Sequence, residues 1–296
     1  MSDELKRSLK PGKSGPGPEL AAGLYVVSTP IGNAADITLR ALDALKGCDQ
    51  ILAEDTRVTA KLLAIYGIQK PLAAYNDHNA ERERPKALSK LRQGARIALV
   101  SDAGTPLISD PGFKLVRAAI AENLPVHVLP GASALLAAVV AAGLPTDRFF
   151  FVGFLPAKPG ERKAALYGLK GLRASLVFFE SAQRLAASLS DMTEALGPRQ
   201  AVVARELTKL HEEVRRGALA ELQLHYARGG PPKGEVTIVV SPPAEMGPDF
   251  ERVDRALDAA LAYMPHRAAV DLVSGMLDAP RREVYERALR RRPSRD

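Results

Sequence analysis

From Leu24 onward, short β-branched runs alternate with stretches whose apolar residues recur every three or four positions. LYVVS, QILAE, RIALVS and VHVLP read as strands. ITLRALDALK, a segment from Thr56, another near Glu81 to Arg92, and FKLVRAAIAEN read as helices. This alternation predicts βαβ units on a mainly parallel sheet. A second series follows: FFFVGF, a helix from Gly160, SLVFFES, a helix from Ala182 to Leu196, AVVARE, a helix near Gly217 to Ala227, and GEVTIVVS. It predicts a second α/β domain, joined to the first near Leu144 to Arg148, where Pro145 interrupts a small-residue helix. The opening residues carry KPGKSGPGPEL, too poor in apolar surface to offset its ordering entropy, so 1–22 is expected to be a disordered tail. After SPPAEMGPD come three short helical stretches and no strand. The expected division is 23–145, 146–242 and a helical 243–296.

Charge adds a bias toward anionic partners. Lys and Arg number 41 against 34 acids, giving +7, which suits RNA or a nucleotide but equally a solvated basic surface. The single cysteine, Cys48, excludes an intramolecular disulfide and reads as a buried spectator between helix and strand. The five histidines lack metal-ligand spacing, so no metal site is expected. No apolar run reaches the roughly 18 residues of a membrane span, and no signal-like segment opens the chain. A cytoplasmic protein without a membrane partner is expected.

Chemistry concentrates where the first domain's strands end, the edge at which open α/β sheets bind ligands. STPIGN (28–33) precedes a helix expected to be capped by Asp36; it matches neither GxGxxG nor a P-loop, which disfavours dinucleotide and triphosphate sites. SDAGTPLISDPG (101–112) follows RIALV. There Asp102 can accept hydrogen bonds from a ribose or an amine, and Gly104 allows close approach. The same residues also suit a tight turn with Asp110 capping the next helix, and turn chemistry alone leaves the two readings level. LPGASALLAA (129–138) sets Gly131 and Ser133 before a helix of small residues, fit to pack on a cofactor or on another helix.

Taken in order, STPIGN, LAEDTR, YNDHN, LVSDAGTPLISDPG, LPGASA, GLPTDRFFFVGFLP, FFES, ARELTK and KGEVTIVV resemble the tetrapyrrole methylase superfamily, and within it the RsmI branch of ribosomal RNA small-subunit (cytidine-2′-O)-methyltransferases. The resemblance covers about Leu24 to Ser241, more weakly the helical tail. It implies two α/β domains with S-adenosylmethionine in the trough between them, a small helical domain, a homodimer, and a substrate in ribosomal RNA of the small subunit. Carried over by motif, the cofactor contacts are Pro30; Asp102, Ala103, Gly104 and Thr105; Ser133 and Ala134; and, from the second domain, Phe179, Ala204 and Gly234. For the last three the residues alone say only core or turn.

Methyl transfer from a sulfonium is an in-line displacement, so alignment of donor and acceptor is the protein's main task. A ribose hydroxyl also gains from a base, or from a cation facing the developing alkoxide. Lys209 and Glu206 in ARELTK are the expected catalytic pair, with Arg57, His78 and Arg205 toward substrate; ordinary ion pairs at strand ends are the competing reading. From Arg281 onward seven arginines stand against three acids, and Arg282, Glu286 and Arg290 share one helical face. Together with the preceding helix this resembles a helix-turn-helix, with Arg282, Arg287, Arg290 and Arg291 expected on phosphates; a solvated helix face is the alternative. Methylation of a tetrapyrrole carbon or of diphthine, and a non-catalytic RNA-binding protein, are the rival functions.

Overall fold

The apolar runs LYVV, QILA and RIALV of the first half become strands buried on both faces, which in a parallel sheet is the condition for near-continuous Val, Ile, Leu and Ala, while the two outer strands are only partly buried. In the computed structural model, which describes residues 20–244 and 250–291, β1 (Gly23–Val27), β2 (Gln50–Ala53), β3 (Leu72–Ala74), β4 (Arg96–Val100) and β5 (Val126–Leu129) form one sheet. Its order is β3-β2-β4-β1-β5, and every pairing is parallel. The crossovers are α1 (Leu39–Gly47), α2 (Thr56–Ile65), α3 (Ala80–Arg92) and α4 (Phe113–Ala121), and α5 (Ala134–Ala142) follows β5. Two expected caps differ. Thr38, not Asp36, caps α1 by accepting from Ala41 N at 3.1 Å, because Asp36 is taken into a 3-10 turn capped by Asn33. Gly112, at φ 127°, starts α4 without a side-chain cap, which frees Asp110 from that role.

The second sheet departs further from the expected pattern. Strands β6 (Phe149–Phe154), β7 (Ser175–Ser181), β8 (Gln200–Arg205), β9 (Glu213–Ala218) and β10 (Glu235–Val240) take the order β6-β7-β10-β8-β9. Only β6 and β7 pair parallel; the other pairings are antiparallel. β9, EVRRGA, has no counterpart in the sequence reading, which begins a helix near Gly217; α8 starts at Leu219. A charged strand suits a sheet edge, where it blocks further pairing. Helices α6 (Pro159–Leu169), α7 (Leu185–Leu196) and α8 (Leu219–Gly229) cover one face, around Phe178, Leu185, Leu189 and Ile238. The other face, through Val177, Val202 and Val239, packs on Ala138, Val139 and Ala142 of α5. The helix that follows the first sheet's last strand thus shares a core with the second sheet.

Most of the expected tail, 1–19, lies outside the described residues; Leu20 packs on the first core and Ala21 O accepts from Tyr25 at 2.7 Å. Cys48 is buried, and burial pushes its thiol up to about 11, so it stays a protonated core residue at neutral pH. No described helix is long and apolar enough to cross a membrane.

A separate unit begins at Pro243. There α9 (Phe250–Leu261), α10 (His266–Leu277) and α11 (Arg281–Leu289) enclose Val253, Leu257, Val270, Val273 and Val284. Asp278 closes α10 in the left-handed region, giving the turn before α11.

Candidate active site

Strands β4, β1 and β5 are neighbours, so the loops after them meet at one sheet edge. Thr29 N donates to Gly104 O at 2.9 Å and Gly104 N returns to Thr29 O at 3.1 Å. Ser28 Oγ and Thr105 Oγ1 lie 3.1 Å apart, and Thr105 Oγ1 reaches Ala132 O at 3.3 Å. A Cβ at Gly131 would press on Ser28, so only glycine lets the third loop close on the first. Within the middle loop, Leu107 (φ 74°) and Ser109 (φ 66°) take left-handed conformations without being glycine. Such residues cost about 1–3 kcal/mol each and concentrate at functional sites.

The second sheet supplies the opposite wall through its register. Because β10 runs against both β7 and β8, Thr237 pairs with Phe179 on one side and Ala204 on the other. Directly paired residues share a sheet face. Phe154, paired with Phe179 from β6, extends the row. Between the walls lies a cavity of about 390 Å³, within the usual range for small-molecule sites. Ala103, Gly104, Thr105, Ser133, Ala134, Phe179, Ala204 and Gly234 all line it. Pro30 and Asp102 do not. Pro30 is buried within the first loop, whose next residue Ile31 makes the lining contact. Asp102 Oδ1 accepts from Asp55 N at 2.9 Å, tying the ends of β4 and β2 together.

The cavity suits a cofactor of S-adenosylmethionine's kind. At Gly104 (φ 79°) a Cβ would crowd Ile31, so the backbone is free to approach a ligand. Ile31, Phe154, Phe179 and Leu207 offer apolar surface for a nucleoside, and the carboxylate of Asp110 favours a cationic centre, while that of Glu180 turns away to Ser188 and Arg184.

Beside Gly234 and Glu235 stands the pair proposed from ARELTK. Lys209 Nζ donates to Glu206 Oε1 at 2.8 Å and to Glu235 Oε2 at 2.9 Å. Glu206 also accepts from Glu235 N at 3.0 Å and fills the space that a Cβ at Gly234 would need. The stem of Lys209 covers Gly32, and Asn33 N donates to Thr208 Oγ1 at 3.2 Å, so this loop reaches the first domain's STPIGN segment. Burial pulls the Lys209 ammonium's pKa down, but its two carboxylate partners outweigh burial and leave it above the ordinary lysine value. Glu206 is held below the usual carboxylate range, chiefly by Lys209. In this arrangement neither is a base at neutral pH. Lys209 is a positioned cation.

The Tetrapyrrole (Corrin/Porphyrin) Methylases family model matches residues 23–223. The chain belongs to this family. A second model, the RsmI C-terminal HTH domain, matches 247–292. Among its relatives, the ribosomal RNA small subunit methyltransferase I of Mesorhizobium japonicum is 47% identical, covering 93% of this chain and 94% of that one. The protein of the same name from Pseudomonas aeruginosa is 43% identical over 92% and 98%. Among solved structures, a uroporphyrin-III-C-methyltransferase from Thermus thermophilus shares the fold at TM-score 0.55 and 22% identity, covering 74% of this chain and 94% of that one. A diphthine synthase does so at 0.55 and 15%, over 89% and 98%.

Within this family member the residues expected to face substrate divide. Arg57 is 87% exposed, its guanidinium on Asp55 at 2.6 Å, which holds that carboxyl down at about 2. His78 lines a separate cavity together with Asp110. Arg205 is only 18% exposed and spent: it donates to Glu213 Oε2 at 2.8 Å and to Lys233 O at 3.0 Å, bracing β8 against β9. In the helical unit Arg287 stacks on Phe250 and pairs with Asp254 at 2.8 Å, while Arg291 pairs with Asp258 at 2.8 Å. These two hold α11 to α9 and are not available to phosphates. Arg282, 90% exposed, makes an i,i+4 pair with Glu286 and no other ion pair among the described residues, and Arg290 is exposed.

Asp110, read from sequence as a cap, is the residue that reading missed. It lines both cavities, and burial, then the charges of Glu54 and Asp102, push it up to about 6. An acid whose folded pKa exceeds its unfolded one weakens the fold as pH rises between the two values. Below about pH 4 the cost is absent; above about pH 6 it is complete. Asp110→Asn is therefore expected to stabilise the protein by about 1–2 kcal/mol at pH 7.5, after allowance for solvent screening, and not at all near pH 4. Thermal unfolding at the two pH values checks this, and an equal effect at both would refute the shift.

Proposed function

We propose that this protein transfers the methyl group of S-adenosylmethionine to the 2′-oxygen of a cytidine ribose in small-subunit ribosomal RNA. The cofactor supplies an electrophilic methyl on a cationic sulfur. The observation that carries the reading is the cavity in which eight motif-derived residues converge from two sheets, in a chain whose family relatives are named for ribosomal RNA small subunit methylation. Ala103, Gly104, Thr105, Ser133 and Ala134 form the cofactor's first wall, and Phe179, Ala204 and Gly234 the second. Pro30 and Asp102 support the first wall from behind. Lys209 faces the developing alkoxide as a preorganised cation, and Glu206 positions it. Arg57 and His78 stand outside the cofactor cavity toward RNA; the protein acts in the cytoplasm.

Mapping ribose methylation in ribosomal RNA from cells with and without the protein tests the reading. One cytidine should lose its 2′-O-methyl group when the protein is absent. An unchanged map overturns the reading, and transfer to a tetrapyrrole would move the chain to another branch of the family.

Arg282 and Arg290 are proposed to contact phosphates. Replacing both by alanine should flatten the log-log salt dependence of small-subunit binding by about 1.4–1.8 if the contacts are real, 0.7–0.9 for each. The cofactor's affinity should not change. Superimposable slopes would return both to a solvated helix face.

The protein is proposed to act as a homodimer. Supporting this, α5 leaves Leu136 and Val140 exposed at 52% and 80%, one turn apart on one face. Light scattering of the purified protein decides; a monomer mass removes the proposal.

A further inference from the structure

The cavity that His78 lines, about 420 Å³, is unused by the cofactor reading. It opens between the starts of α3 and α4 and shares Asp110 with the cofactor cavity, so the strained loop through Ser109 forms a partition between the two. Asp77, His78, Glu81, Arg84 and Lys114 surround it, and none of the five spends its side chain on a hydrogen bond or ion pair with another described residue. By contrast Arg57, Arg92 and Arg96, elsewhere in the same unit, are all paired with acids. Tyr75 also lines it, 1% exposed, with a buried hydroxyl that has no hydrogen-bond partner. Such a group costs free energy that a ligand's polar atom would recover. At the rim Phe113 is 61% exposed.

The mixture selects a ligand class. Three carboxylates repel a phosphate, and Arg84 with Lys114 repels a metal cation. A neutral planar ring edged with both donors and acceptors satisfies all of them and can stack on Phe113. Cytosine fits this description: its amino group donates to carboxylates, and its ring nitrogen and carbonyl accept from Arg84 or Tyr75. Uracil reverses the first two of these positions.

We propose that this cavity holds the base of the acceptor cytidine, drawn out of the RNA stack, with its ribose at the Asp110 partition facing the cofactor. Enzymes that do chemistry on a base draw it out of the stack in this way, and here the same extrusion would set the ribose, not the base, against the cofactor. The proposal rests on the function proposed above and adds where the base is read.

The test uses small ribosomal subunits carrying cytidine or uridine at the mapped position. Phe113→Ala should lower kcat/KM by about tenfold or more, the size of one lost base–aromatic stack, with S-adenosylmethionine affinity unchanged; Phe113→Tyr should retain activity. Asp77→Asn combined with Glu81→Gln should narrow the preference for cytidine over uridine by about tenfold. Wild-type kcat/KM in Phe113→Ala, or an unchanged preference in the double variant, overturns the proposal. A second readout needs no turnover: the His78 ring resonances should move on titration with cytidine 5′-monophosphate, and less with uridine 5′-monophosphate. If they do so while the wild type methylates no subunit, the ribosomal RNA reading fails and the base cavity stands. Resonances that ignore both nucleotides remove the cavity from the reaction.

Discussion

Lys209→Met is expected to lower kcat by about 10²- to 10³-fold, the usual loss when one preorganised group facing a developing oxyanion is removed. Methionine is the informative replacement because the Lys209 stem also covers Gly32. An unbranched apolar side chain keeps that packing and removes only the charge. Affinity for S-adenosylmethionine should hold, since Lys209 is not among the residues lining the cofactor cavity. A group used only in the transition state lowers kcat and kcat/KM together and spares ground-state binding. Glu206→Gln should do less: it keeps a hydrogen-bonding oxygen for Lys209 and Glu235 N and gives up only the charge. With its pKa above the ordinary lysine value, Lys209 stays cationic throughout the neutral range and contributes no basic limb to the pH profile there. Single-turnover transfer at saturating cofactor measures the effect. Wild-type turnover in Lys209→Met would assign the lysine to holding loop 28–33 and nothing more.

What was legible in the sequence was local. The parallel sheet announced itself because strands such as RIALV are buried on both faces, and the cofactor loops because Gly104, Gly131 and their hydroxyl neighbours directly follow strands whose adjacency the fold then supplies. β9 was illegible because Arg215 and Arg216 put charge on both of its faces, Arg216 donating to Ala142 O at 3.2 Å, which erases the apolar alternation. Phe179 and Ala204 became a wall only through their shared register with Thr237, a relation between strands far apart in the chain. Asp110 looked like a helix cap because acid–Pro–Gly is a turn signature; Gly112 took over the helix start and left the carboxylate to the cavities. The tail arginines look alike in sequence. Acids on α9 decide that Arg287 and Arg291 brace the unit, while Arg282 and Arg290 remain at the surface.

Asp191→Ala is expected to be the most destabilising single change, by about 3–5 kcal/mol, because it strands a buried charge. Arg162 on α6 and Asp191 on α7 meet at 2.6 Å with side chains 5% and 10% exposed. Arg162 also donates to Ala157 O at 3.1 Å, and Arg184 to Leu155 O at 2.7 Å and Pro156 O at 3.0 Å. The guanidinium groups thus fix the 155–157 segment that leaves the sheet directly after Phe154, a cavity residue. For a domain of this size the loss corresponds to a fall in melting temperature of roughly 6–20 °C. The pair's net worth is a different quantity, since a buried ion pair repays much of its own desolvation and little more. Arg162→Met combined with Asp191→Leu should therefore recover most of the stability lost in Asp191→Ala. It should still bind S-adenosylmethionine less well, because the 155–157 carbonyl at Ala157 loses its guanidinium anchor. Calorimetric melting of the single and double variants, followed by cofactor titration of whichever stays folded, separates the two effects. A double variant as unstable as Asp191→Ala would mean that the pair contributes by its geometry and not merely by avoiding an unpaired charge.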